Sequence, residues 1–397
     1  MTNETSLKIP LQNDHNVYIL GAGFSCHAGL PLISDFLLRM RDSHDWLIKQ
    51  GRDREADAVA QVLQFRLNAA SAAYWVNLDL ENIEELFSLA SASPGNIMTQ
   101  IRLAIAATLD YARRTRTTPN CKIHVRGSAG LFEPQAGKCP RWATKIDEGR
   151  VDGFGSYEFP TYSFWVAHLL GMFKDGLPQG QNTFISFNYD TVLEDAIINL
   201  GFRVGYGSAL GGHPGVASPA EPNLAPIPVF KLHGSVNWAR SDSNPNMVSV
   251  FANYDKLAEL GLVPELVPPT WKKVFENQLE SVWEEAITKL STATRIVVIG
   301  FSMPPTDMHF KYLLAAGLQN NISLRQVLFA NPDSTDELET RARKLLREAY
   351  FRSNRIAFNK ENVHDFITGH HGNQNKTGLS QLGRAPEYQL QFDFYSF

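Results

Sequence analysis

Short apolar runs of strand-forming residues recur along this chain, and five of them end in glycine or polar clusters. Val17 to Leu20 is followed at once by Gly21-Ala22-Gly23-Phe24-Ser25. Apolar positions at Ile33, Phe36, Leu37 and Met40 then repeat at helical spacing, which predicts strand, tight turn and helix. Thr183 to Phe187 runs into Asn188-Tyr189-Asp190, with Val192, Leu193, Ala196, Ile197 and Leu200 as a helix face beyond. Val229 to Leu232 ends in His233-Gly234-Ser235, Ile296 to Ile299 in Gly300-Phe301-Ser302, and Val327 to Ala330 in Asn331-Pro332-Asp333. Strands buried on both faces of a parallel sheet read as such unbroken runs. The pattern predicts an α/β fold: a Rossmann-like parallel sheet with helices on both faces.

The region 41–155 has a different rhythm and predicts a helical insertion subdomain, with amphipathic stretches near 54–77, 80–89 and 97–112. Residues 114–160, with basic residues, glycine and proline, read as loop, and Arg113-Arg114 and Arg116 as a solvated face. Further helices are predicted near 162–173, 274–290 and 336–349. The sheet domain is thus expected at 1–40 and 156–350, with a C-terminal extension at 351–397. Within that extension His370-His371 reads as solvated, and the final YQLQFDFYSF alternates like an edge strand able to pair with a second subunit.

In an open parallel sheet, ligands bind outside the carboxyl ends of the strands, so five clusters at such ends converge on one crevice. The turn at 21–25 would bring backbone amides and a helix start to an anionic group. Its spacing, G-x-G-x5-G, differs from the dinucleotide fingerprint, and the same glycines would also serve close packing. Asn188 and His233 are the candidate chemical groups. An imidazole titrates near neutrality and can take a proton or bind a sugar hydroxyl. An amide offers both donor and acceptor to a sugar hydroxyl or a water.

Composition narrows the partners. A net charge of −4 gives no case for electrostatic binding to nucleic acid or to an anionic membrane, and no run of 18 apolar residues occurs. The opening MTNETSLKIPLQNDHN has no charged-then-apolar leader pattern, so a cytoplasmic location is expected. Cys26, Cys121 and Cys139 lack the paired spacing of a structural zinc site.

Taken together, GAGFS and AGLP within 21–31, SFNYD at 186–190, KLHG at 231–234, GFS at 300–302 and Asn331 resemble the motifs of the sirtuin-like family. ENIEELF, VPPTW and IGFSMPPTD resemble its prokaryotic defence-associated branch. The chain lacks that family's four-cysteine zinc ribbon and its Pro-Asp-Phe-Arg signature, which turns the reading away from protein deacylation. The resemblance implies NAD+ as substrate, with no resident cofactor and no metal. It places the pyrophosphate on Gly21, Ala22, Gly23, Phe24 and Ser25 and the adenosine half near Gly300, Ser302 and Asn331. Asp190 would meet the nicotinamide carboxamide, with Asn188 and His233 as the catalytic pair. It further implies an NAD+ glycohydrolase that depletes NAD+ in abortive anti-phage defence, often as a homo-oligomer. The partner expected is a HerA-type ATPase, ahead of a prokaryotic Argonaute. An NAD-dependent protein deacylase or ADP-ribosyltransferase, and a non-catalytic nucleotide-binding scaffold, are the alternatives.

Overall fold

The computed structural model describes residues 14–95, 97–118, 120–126, 144–146, 154–172, 177–215, 224–241, 244–270, 278–304, 308–332, 335–353 and 355–368. His370-His371 and the C-terminal alternating stretch lie outside them. The chain opens with β1 (His15–Leu20), a one-turn helix α1 (Ala22–Ser25) and a 3-10 turn at Cys26–Ala28. Four helices follow: α2 (Phe36–Lys49), α3 (Asp53–Ala73), α4 (Ile83–Ala92) and α5 (Met98–Thr115). Then come β2 (Asn120–Arg126), β3 (Thr144–Ile146), β4 (Phe154–Pro160), α6 (Thr161–Leu170), β5 (Gln181–Ser186), α7 (Val192–Asn199), β6 (Val204–Gly205) and β7 (Ile227–Lys231). The middle of the chain holds β8 (Gly234–Ser241), β9 (Asn244–Val250), α8 (Tyr254–Glu259), β10 (Pro264–Leu266) and α9 (Gln278–Ser291). The last elements are β11 (Arg295–Ile299), α10 (Met308–Leu318), β12 (Gln326–Ala330), α11 (Glu337–Leu345), α12 (Glu348–Arg352), β13 (Ile356–Asn359) and α13 (Val363–Thr368).

Seven strands form one sheet in the order β13-β12-β11-β1-β5-β7-β6, and every neighbouring pair is parallel. Residue period two divides the strands between two cores. Tyr18, Leu20, Phe184, Val229, Val297 and Leu328 face the helical layer of α2–α7. Val17, Ile19, Ile185, Phe230, Val298 and Phe329 face the side carrying α9, α10 and α11. Both faces are therefore covered, which is why β1 is buried along its whole length and shows no polar alternation. The expected α/β sheet with helices on both faces is what the chain forms.

Two three-stranded antiparallel sheets stand beside the main one, in the orders β10-β8-β9 and β2-β4-β3. The second lies in 114–160, where the sequence reads as loop, and corrects that expectation. β13 falls beyond residue 350 yet completes the edge of the main sheet. Among the described residues no helix is long and apolar enough to cross a membrane.

Candidate active site

The central strand β1 lies between β5 and β11, so the chain's later strands are laid down on either side of it. The carboxyl ends beside such a switch point are where a crevice opens. A cavity of about 1270 Å³ lies there. It is lined by Gly21, Ala22, Gly23 and Ser25 after β1, by Asn188 and Asp190 after β5, and by His233 after β7. Gly300 and Ser302 after β11 and Asn331 after β12 also line it. Ten of the eleven residues singled out from the sequence therefore share one cavity. Phe24 does not line it: its ring is buried, in edge contact with Tyr162 and Trp165 at centroid distances of 5.5 and 6.0 Å.

The glycines of the turn hold two backbones together. Gly21 N–H donates to the Ile299 carbonyl (3.0 Å), Gly23 N–H to the Gly300 carbonyl (2.8 Å), and Phe24 N–H to the Gly21 carbonyl (2.9 Å). A methyl group at Gly21 would lie 2.6 Å from Phe301 Cα, and one at Gly23 2.8 Å from Gly300 Cα. Gly300 itself has φ of +62°, and a methyl there would sit 2.3 Å from Phe24 N. Only glycine permits that approach on both sides. Three amides of the turn are committed within the protein, and Ser25 supplies its polar side chain.

Asn188 is oriented by that turn. Its Nδ2 donates to the Gly21 carbonyl (2.9 Å) and to Ser25 Oγ (3.1 Å). The Gly21 carbonyl can only accept, so the amide nitrogen must face it, which leaves Oδ1 as the group able to accept from a ligand. Ser25 Oγ donates in turn to Asp190 Oδ1 (3.1 Å), which also accepts from Val192 N–H (3.0 Å) at the start of α7. Beneath this loop Lys231, buried at the end of β7, donates to the Asp190 carbonyl and pairs with Glu194 Oε1 at 3.0 Å. Tyr206 donates to the same Glu194 oxygen (3.3 Å). Burial pushes the Glu194 carboxyl up while the Lys231 ammonium pulls it back. The Asn188–Asp190 loop thus stands on a buried ion pair.

His233 sits where β7 of the parallel sheet hands over to β8 of the small sheet. Its carbonyl accepts from Val267 N–H (2.9 Å), and Trp283 Nε1 donates to the preceding Leu232 carbonyl (2.9 Å). Its ring meets Phe187 edge to face at 5.2 Å and lies 6.3 Å from Tyr189. Phe187 is stacked on Phe301 at 4.6 Å. His233 is only 5% exposed.

Sequence reasoning missed the opposite wall. Trp165 on α6 donates from Nε1 to His364 Nδ1 (3.2 Å) on α13, and the His27 ring packs beside both at 5.3 and 5.9 Å. Burial lowers the His27 imidazole. Tyr162 ties this wall to the turn, its hydroxyl donating to the Phe24 carbonyl and accepting from Ala28 N–H, both at 2.9 Å. These residues come from elements far apart in the chain, with no shared motif to announce them. Among the described residues no group of three or more His, Cys, Asp or Glu side chains is arranged to hold a metal ion.

No family model matches the chain, and no curated protein matches it. Among solved structures, it overlaps Sir2Tm bound to a propionylated peptide with 12% identity and a TM-score of 0.35, covering 93% of this chain and 94% of that one. A Sir2 homologue mutant in complex with 2′-O-acetyl ADP-ribose overlaps with 14% identity and a TM-score of 0.39 over the same shares. Another Sir2 homologue mutant, in complex with ADP-ribose, overlaps with 14% identity and a TM-score of 0.37, again over 93% and 94%. Overlaps of this quality add nothing to the topology described above.

Proposed function

We propose that the chain is an NAD+ glycohydrolase. Water attacks C1′ of the nicotinamide-bearing ribose, the N-glycosidic bond breaks, and nicotinamide leaves with the bonding electron pair. ADP-ribose and a proton are the other products. The observation that supports this most is the convergence of Asn188, His233, the Gly21–Ser25 turn, Ser302 and Asn331 on one cavity at the switch point of the sheet.

Cleavage of this bond develops oxocarbenium character on the ribose, as other glycosidic cleavages do. The nicotinamide ring is already cationic in the substrate and needs no general acid. Asn188 Oδ1, the free acceptor of its amide, takes a hydrogen bond from a ribose hydroxyl or from the attacking water. His233 accepts the proton of that water or holds the other hydroxyl. Asp190 fixes Ser25 through Oδ1 and meets the carboxamide through its second oxygen. Ser302 and Asn331 take the adenosine half. By the sequence resemblance, the resulting loss of NAD+ serves anti-phage defence. The enzyme is then released by self-association or by a partner, a HerA-type ATPase before a prokaryotic Argonaute.

The test is release of nicotinamide and ADP-ribose by the purified chain without any acceptor, alone and with a HerA-type ATPase. Asn188→Ala and His233→Ala are expected to abolish it. Full activity in both variants, or no nicotinamide released in either condition, overturns the proposal.

A further inference from the structure

The basic cluster at the end of α5 is divided by the fold. Arg113 donates to Thr191 Oγ1 (2.7 Å) and to Asp195, and Arg114 is held by Asp110 (2.9 Å) and Asp255. Both guanidinium charges are answered by carboxylates. Arg116, two residues on, lines the cavity instead, and among the described residues it is the only arginine or lysine that does. It has no ion-pair partner among the described residues.

Its position is set by Gly29, which closes the 3-10 turn after Ser25. Gly29 has φ of +82°, and a Cβ there would lie 2.5 Å from Arg116 Cδ and 2.7 Å from Arg116 Cβ. The arginine stem therefore lies against a glycine that has no room for a side chain, four residues beyond Ser25 in the chain. Its charge is felt at Cys26, whose thiol is pushed up by burial and by Asp35 and drawn down by Arg116.

The rest of the cavity wall is acidic or neutral. Asp79, Glu81, Glu84, Asp190 and Asp365 line it; of these Glu81 is paired with Arg66, and Asp79 and Asp190 accept hydrogen bonds within their own loops. A ligand with two or more negative charges meets one arginine or lysine side chain among the described residues here.

We infer that Arg116 grips the diphosphate of a dinucleotide bound in this cavity, an inference that rests on the NAD+ reading above. A guanidinium presents paired N–H donors to phosphate oxygens, a geometry an ammonium cannot copy. The backbone turn has its amides at Gly21, Gly23 and Phe24 already bonded, so a side chain adds donors that those three cannot give.

Titration calorimetry with ADP-ribose and with adenosine tests this on the whole chain. Arg116→Ala is expected to weaken ADP-ribose about 10- to 100-fold, the range of a charged hydrogen bond. Adenosine affinity should stay within about twofold. Arg116→Lys should fall between, and Arg113→Ala should match the wild type. Unchanged ADP-ribose affinity in Arg116→Ala overturns the inference, and so does an equal loss for adenosine, which would report a distorted wall. If the wild type binds no ADP-ribose, the dinucleotide reading itself fails, an outcome distinct from failure of Arg116 alone.

Discussion

The two flanks of the cavity hold their key side chains by different physics. On one flank Asn188, Ser25 and Asp190 form a relay in which the donor and acceptor roles are fixed, and the relay stands on the Lys231–Glu194 pair. On the other flank His233 is steadied by the rings of Phe187 and Tyr189 and by the backbone of the small sheet. Hydrogen-bond complementarity fixes which atom of Asn188 faces the ligand. Ring packing against Phe187 and Tyr189 helps to fix where the His233 imidazole lies. Alteration beneath the polar flank is expected to show first in stability, and loss of the imidazole on the aromatic flank first in chemistry.

The sharpest break between them is His233→Phe. The ring remains and the imidazole goes, so nicotinamide release should fall about 10²- to 10⁴-fold, the usual worth of a general base. The unfolding temperature, measured beside it, separates lost chemistry from lost packing; a large drop would show that the flank needs the imidazole for folding. Lys231→Met tests the other side. Removing one partner of a buried pair costs about 3–5 kcal/mol, read by denaturant unfolding, and the double variant Lys231→Met with Glu194→Leu should regain most of it.

A smaller effect comes from α6, the helix whose Tyr162 and Trp165 brace the turn. Burial there holds His168 down to about 4, against an ordinary value of 6.5, and its Nδ1 donates to the Phe164 carbonyl at 3.0 Å. As pH falls the unfolded chain takes the proton first. The stabilisation is complete above pH 6.5 and is lost progressively down to about pH 4, a total of about 3 kcal/mol. His168→Gln should flatten that stretch of the stability-against-pH curve; an unchanged slope would assign it to other groups. The smallest effect is expected of Ser25→Ala. It leaves Asn188 and Asp190 each one partner short, costs about 1–2 kcal/mol, and should both raise KM and slightly lower the unfolding temperature.

The five central strands were legible because each is a short apolar run buried on both faces, and their polar ends marked the crevice. The helices α2–α5 were legible from their spacing. β2–β4 were not, since glycine, proline and basic residues in 114–160 carry no periodicity and that sheet is defined by pairing between distant segments. β13 is four residues long and gains its place only by pairing with β12. Phe24 shows a further limit. Membership of a motif says that a residue is near a ligand, but helical phase at α1 sends this ring to the core. Arg116 is the converse: a charged run is one feature in the sequence, and only the geometry of α5 separates two arginines in ion pairs from the one at the cavity.

Where Gly21, Gly23 and Gly300 touch, the ends of β1 and β11 are joined with no side chain between them. Natural variation has nowhere to act at such a joint, because the smallest substitution would wedge the two strands apart. Any drift in what this scaffold accepts is then expected on the rim, at positions such as Arg116, Ser302 and Asn331, rather than at the joint. A library that randomises the rim should yield folded proteins with altered ligand preference; one that randomises the three glycines should yield few folded proteins at all.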